Sequence, residues 1–366
     1  MKSRDFPIYI ILGTRAQFIK MAPVMYEMKE RGVDYTLIYT SQHKENILEI
    51  LEIYELAKPD IIMFVSDEAN TISKASNWTA KMFYHSLCKA RKYLSKKGIV
   101  LIHGDTFSTW LGALMGRIAG CRVAHVESGL RSFNIFNPFP EEISRLITFT
   151  LSNVYFCGSE WSVNNLKRYQ GEKININGNT LIDAIRFALN KKKKHEFYFQ
   201  ETPFALVSMH RSENLFTQRF IDFIIPTIQE ISILIKLVFT LHPSTRERLK
   251  QLNLIDQLNE EKNIILHDRF NFIDWITLCN KAEFVLTDGG SNQEELSYLG
   301  VPTLLFREKT ERLEGLDENV VLSKFNKDIV TGFINNYRHY RRNPIIPNHS
   351  PSKKIVDYIV RNHFEK

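Results

Sequence analysis

The stretch "GIVLIHGDTFSTW", residues 98–110, decides the fold. Its apolar run, Ile99–Ile102, ends on His103, Gly104 and Asp105, and small polar residues then lead into a helical pattern over Trp110–Ala119. A short run without polar alternation, followed by a helix, predicts a strand buried on both faces of a parallel sheet. The polar turn has two readings. Asp105 or Thr106 caps the helix and satisfies its free backbone N–H groups. Alternatively, Asp105 is an active-site carboxylate at the carboxyl end of a strand, where open α/β sheets place their ligands.

The same unit recurs on both sides. Apolar runs fall at Ile8–Leu12, Tyr35–Tyr39, Val123–Val126 and Asn153–Phe156, and again at Phe204–Val207, Ile235–Phe239, Ile264–Leu266, Phe284–Leu286 and Thr303–Phe306. Helical patterns at Glu142–Leu151, Phe220–Ile233 and Asn292–Leu299 alternate with them. With 366 residues the chain exceeds what one core usually holds. Two series of strands predict two doubly wound α/β domains, Rossmann-like and facing each other across a cleft, a GT-B-like architecture. The predicted division is 1–175, 176–349 and a terminal helix over 350–366, with the boundary between Asn175 and Thr202. In that helix Ile355, Tyr358 and Ile359 share a face, and Ser350-Pro351 supplies a cap and first turn.

Composition narrows the function classes. Hydrophobic residues make up 44% and charged ones 24%, values of an ordinary globular protein. No apolar stretch approaches the roughly 18 residues of a membrane span. "MKSRDFPIYIILGTR" reads as a first strand, because a signal peptide has a longer apolar region, so a cytoplasmic protein is expected. Four widely spaced cysteines without a C-x-x-C pair leave zinc and redox motifs unsupported and predict buried free thiols. The net charge of +7 favours an anionic partner. The basic run "NKKKKH", residues 190–195, reads as a solvated linker or helix end, and no nucleic-acid module accompanies it.

Four constellations carry candidate chemistry. "GTRAQFIKMAP" opens at Gly13, whose turn exposes amides at a helix start, with Arg15 and Lys20 adding positive charge for an anion. Neither a dinucleotide fingerprint nor a Walker A loop is present. "HVESGLRSFNIFNPFPEEISR" puts Glu127 at a strand's carboxyl end, and Glu141 and Glu142 in a first helical turn, where the dipole also favours acids. "SMHRSEN" supplies His210 and Arg211, and "LHPSTRERL" supplies His242 and Arg246. "TDGGSNQEELSYLGVP" sets Gly290 and Ser291 before a helix whose amides can cradle a diphosphate, with Glu294 and Glu295 in its first turns. "EKTERLEGL" adds Arg312.

Together these stretches, with "HGDT" and "NGNTLID", resemble the UDP-N-acetylglucosamine 2-epimerase family over most of the chain and in order. The resemblance implies a homodimer that needs no metal and no nicotinamide. Its reaction inverts C2 of a UDP-linked 2-acetamido sugar through elimination and re-addition of UDP. Matched motif by motif, Asp105, Glu127 and Glu141 correspond to the acid/base set. Arg15, Lys20, His210 and Arg312 correspond to phosphate and substrate contacts, with His210 placed among the catalytic residues. Gly290, Ser291 and Glu295 correspond to diphosphate and ribose contacts, and Arg211 and Arg246 are grouped with the UDP-binding residues. Gln42-His43 matches a family allosteric pair. Ala16-Gln17 and Asp288-Gly289-Gly290-Ser291 stand where the family has Pro-Glu and D-S-G-G. "QFIK" and "LRSFN" resemble the branch acting on UDP-2,3-diacetamido-glucuronate, whereas the longer "NIFNPFPEE" segment resembles the N-acetylglucosamine branch. A hydrolysing relative releasing free sugar and UDP, a GT-B glycosyltransferase, and a nucleotide-sugar-binding regulator are the rival readings.

Overall fold

The computed structural model describes residues 6–41, 47–63, 83–84, 87–136, 139–191, 197–310 and 312–364. Gln42-His43 and most of the lysine run lie outside them. The chain divides into two compact units, Met1–Ala184 with His349–Lys366, and Ile185–Asn348.

The first unit is built on seven parallel strands ordered β3-β2-β1-β4-β5-β6-β7. In chain order these are β1 (Ile8–Leu12), β2 (Thr36–Tyr39), β3 (Ile61–Ile62), β4 (Ile99–His103), β5 (Arg122–Ser128), β6 (Val154–Cys157) and β7 (Glu172–Asn175). The second has six, ordered β10-β9-β8-β11-β12-β13. They are β8 (Phe204–Ser208), β9 (Lys236–Leu241), β10 (Ile264–Asp268), β11 (Val285–Thr287), β12 (Thr303–Leu305) and β13 (Val320–Leu322). Both are doubly wound, Rossmann-like sheets with helices between most successive strands, the predicted class. Every residue of β1, β4 and β8 is buried, as their continuous apolar runs require. The strand order reverses between β1 and β4, and again between β8 and β11. Those two points are where a doubly wound sheet opens a crevice at its carboxyl ends.

Local signals set the helix starts. The helix Phe107–Ala119 is capped by Thr106, whose backbone N–H donates to Thr109 Oγ1 at 3.1 Å, and it ends at the left-handed Gly120. Asp105 is therefore not the cap. The helix Arg15–Glu30 is capped by Thr14, and Gln17 closes a capping box behind it. Gln17 Oε1 accepts from Gly13 N at 2.8 Å and Thr14 N at 3.1 Å. The amides of Gly13 and Thr14 are thus engaged by the Gln17 side chain.

The terminal helix Pro351–Phe364 is grouped with the first unit. Ile355, Val356 and Ile359 are buried, and Ser350 Oγ accepts from Lys353 N at 3.2 Å. Its Ser352 N donates to Asp183 Oδ2 at 2.8 Å, and Asp357 pairs with Arg31 at 2.6 Å. Cys121, Cys157 and Cys279 are buried free thiols, but Cys88 is exposed, contrary to the expected burial of all four. No helix among the described residues is long and apolar enough to cross a membrane.

Candidate active site

The reversal point of the first sheet gathers charge. At the end of β5 the ladder to β6 slips between Val126 and Ser128, and the residue left in the bulge is Glu127 at φ 62°. A left-handed glutamate is costly and persists only where its surroundings over-determine it. They do so here. Glu127 Oε1 accepts from Lys20 Nζ and from Asn179 Nδ2, both at 2.7 Å. His103 Nε2 lies 3.2 Å from Oε2, off the line of a hydrogen bond. Burial pushes the His103 imidazole down to about 3, against the upward pull of Glu127, so the ring is neutral at ordinary pH. Glu127 keeps 12% of its side chain exposed. The cluster is thus a partly exposed carboxylate engaged by the Lys20 ammonium and the Asn179 amide.

The neighbouring backbone is bent to suit. Gly129 has φ +85°, and a Cβ there would collide with the Ser162 carbonyl. Gly129→Ala should therefore cost more than about 2 kcal/mol. Urea unfolding measures it, and a wild-type midpoint would remove the constraint. His125, buried beside it, donates from Nε2 to the Gly104 carbonyl at 2.7 Å, because a carbonyl can only accept. Its Nδ1 then accepts from the Ser128 hydroxyl at 2.9 Å.

Asp105 lies across the turn from β4 in a second network. Arg145 donates to Asp105 Oδ2 from Nε at 2.9 Å and from Nη2 at 2.6 Å, and from Nη1 to Glu142 Oε2 at 3.2 Å. Glu142, fully buried, also accepts from Arg131 Nε and from Ser132 N, the latter at 3.0 Å. Burial alone would raise its carboxyl; the Ser132 N–H, Arg131 and Arg145 together hold it below its ordinary value. Glu141 opens the same helix, Glu141–Leu151, four residues before Arg145 and so on the same face. Its buried Oε2 has no hydrogen-bond partner among the described residues. Arg15 is turned to Glu49, with Nη1 at 3.0 Å from Oε2.

In the second unit Asp288, fully buried after β11, organises the loop after β8. It accepts from His210 N at 2.9 Å, Arg211 N at 3.1 Å and Asn214 Nδ2 at 3.0 Å. The His210 ring stacks on His242, centroids 4.4 Å apart, with its Nδ1 3.5 Å from Asp288 Oδ1. A Cβ on Gly289 would stand 2.6 Å from His210 Cε1, so the glycine admits the imidazole. Gly290 and Ser291 begin the helix Gly290–Leu299. Arg312 crosses over Gly290 and pairs with the buried Glu294 at 2.7 Å, and Arg307 Nη1 reaches the same turn. Glu295 Oε2 accepts from the Trp275 indole N–H at 2.8 Å. A helix N-terminus beside two guanidiniums is a ready anion site.

The sequence model of the UDP-N-acetylglucosamine 2-epimerase family matches residues 26–344. The chain belongs to that family of isomerases. The UDP-N-acetylglucosamine 2-epimerase of Methanocaldococcus jannaschii is 33% identical over 84% of this chain and 85% of its own. Its crystal structure in complex with UDP-GlcNAc and UDP superposes with a TM-score of 0.79 at 29% identity, covering 97% of this chain and 99% of that one. The Neisseria meningitidis enzyme bound to UDP-GlcNAc gives a TM-score of 0.81 at 27% identity, covering 98% and 100%. The GT-B-like fold is common to these epimerases.

Of the family motifs, the structure gathers Lys20 with Glu127, and Asp105 with Arg145 in the helix that Glu141 opens. It gathers Gly290, Ser291 and Arg312 at one helix start, with His210 against the adjoining Gly289. Arg211 joins the His210 cluster through its backbone N–H to Asp288 while its guanidinium is engaged by Glu213 at 2.7 Å, and Arg246 is engaged by Asp268 at the end of the edge strand β10. Asn179, Arg145, Arg131, Arg307 and Trp275 join these clusters without having been singled out in the sequence. Among the described residues no group of His, Cys, Asp and Glu is arranged to hold a metal ion.

Proposed function

We propose that the chain interconverts UDP-N-acetylglucosamine and UDP-N-acetylmannosamine, or a close UDP-2-acetamido sugar such as UDP-2,3-diacetamido-glucuronate, by eliminating UDP and adding it back. A base takes the C2 proton, the C2–H electron pair becomes the C1–C2 double bond, and the C1–O pair leaves with UDP. Protonation of the glycal at C2 on the opposite face, with return of a β-phosphate oxygen to C1, completes the inversion. The C2 proton is not acidic, so C1–O cleavage runs ahead and builds positive charge on the ring. Carboxylates suit both tasks, stabilising that charge and moving protons. Asp105, Glu127 and Glu141 are assigned to them.

The observation that carries the reading is Glu127. It is a strained, largely enclosed carboxylate at the carboxyl end of β5, held by Lys20 and Asn179. Strain of that kind is retained where a side chain must be aimed. Lys20 is therefore better assigned to holding Glu127 than to a phosphate. The second unit supplies the UDP contacts: Gly290 and Ser291 amides, Arg312 and His210 for the diphosphate, Glu295 for the ribose hydroxyls. The solved relatives that carry UDP-GlcNAc in their complexes support this substrate class.

Turnover of UDP-N-acetylglucosamine in deuterated water, followed by NMR, tests the reaction. The product is expected to carry deuterium at C2 and remain attached to UDP. Free N-acetylmannosamine accumulating with UDP would instead establish the hydrolysing reaction. Transfer to an added saccharide without exchange at C2 would establish a glycosyltransferase, and binding without turnover a regulator.

A further inference from the structure

We infer that Trp275 is a positioning residue for nucleotide recognition, fixing the Glu295 carboxylate so that it discriminates ribose hydroxyls. Two helices of the second unit meet here: Phe272–Lys281, begun at the Asn271 cap, and Gly290–Leu299, begun at the glycine turn. Trp275 lies in the first turn of one and Glu295 in the second turn of the other. Both side chains are buried, Trp275 to 9% and Glu295 to 6% exposure. The indole Nε1–H donates to Glu295 Oε2 at 2.8 Å.

An indole offers one donor on a rigid plane set by two torsions, so a buried Trp fixes the direction of its bond. A carboxylate, by contrast, rotates about its last torsion unless both of its faces are constrained. Anchoring Oε2 orients the whole group, and it does so from a helix that carries none of the diphosphate contacts. The bond is charge-assisted and shielded from water, the setting in which such bonds are strongest. Tryptophan is an unusual choice for mere filling at this point, because a buried indole N–H needs a partner that phenylalanine would not.

This inference rests on the assignment of Glu295 to the ribose, and the experiment separates the two. UDP and 2′,3′-dideoxy-UDP are titrated by calorimetry into the wild type, Trp275→Phe and Glu295→Ala. Trp275→Phe keeps the aromatic bulk and deletes the donor. It is expected to weaken UDP roughly tenfold, the low end for a bond to a charged group, and dideoxy-UDP less than about twofold. Loss of the preference for UDP in Glu295→Ala secures the ribose assignment. With that in hand, a Trp275→Phe variant that weakens both nucleotides equally, or neither, overturns the positioning role alone. A Glu295→Ala variant that keeps the full preference overturns the ribose assignment, and the role of Trp275 with it.

Discussion

Glu127→Gln is expected to lower turnover of UDP-N-acetylglucosamine at least about 10²-fold, the usual scale for losing an acid/base group, while UDP binds nearly as well as to the wild type. Glutamine preserves length and an acceptor oxygen for Lys20 and Asn179, so the bulge at φ 62° need not change. What it removes is the ability to carry a proton and the negative charge that steadies a cationic sugar ring. The UDP contacts assigned above belong to the second unit, which explains the expected split between catalysis and binding. Asp105→Asn and Glu141→Gln should follow the same pattern. Their partners differ: Asp105 answers to Arg145, and Glu141 Oε2 has no hydrogen-bond partner among the described residues. Steady-state rates paired with UDP titrations decide it. Wild-type turnover in all three variants would sink the acid/base assignment, and loss of UDP affinity in step with turnover would move these groups to the nucleotide.

Central strands were legible in the sequence because burial on both faces leaves an unbroken apolar run. Of the four at the edges, β10 was legible and the other three were not. β3 is two residues long, β7 reads Glu-Lys-Ile-Asn, and β13 is three residues, and all three lie at an edge of their sheet. An edge strand is half solvated and short, so it lacks the signature that marks its neighbours. The site divides in the same way. Residues within a strand-to-helix turn (Asp105, Glu127, Gly290) announce themselves by interrupting an apolar pattern. Those that reach in from a distance do not. Asn179 lies 52 residues beyond Glu127, and Trp275 lies 20 before Glu295. Gln17 shows the limit most clearly. Its side chain fills the amides of Gly13 and Thr14 and donates to the His103 carbonyl at 2.6 Å, so a turn with the composition of an anion site is occupied by the protein itself.

Glu142→Ala should cost about 3–5 kcal/mol of stability, the scale for breaking a buried ionic network by removing one partner. Glu142 has no exposed surface and is the only member touching Arg131, Arg145 and the Ser132 amide among the described contacts. Removing it leaves two guanidiniums, each with only 12% of its side chain exposed, facing one another without the charge between them. Glu142→Gln retains acceptor geometry and loses charge, so it should fall between the wild type and alanine. The pH dependence has a definite sign. The folded carboxyl lies below its ordinary value of 4.5, so its contribution is complete above that value. It is lost as pH falls through the depressed one. The stability gap between wild type and Glu142→Gln should therefore narrow on acidification below about pH 4.5 and be flat above it. Turnover is expected to drop as well, because Arg145 then loses one of the two carboxylates that set its direction toward Asp105. Urea unfolding across pH, with hydrogen exchange over residues 139–151, measures the stability effect, and steady-state rates measure the turnover. A Glu142→Ala protein within about 1 kcal/mol of wild type, or a gap that widens in acid, would mean that the network does not hold Asp105 in place.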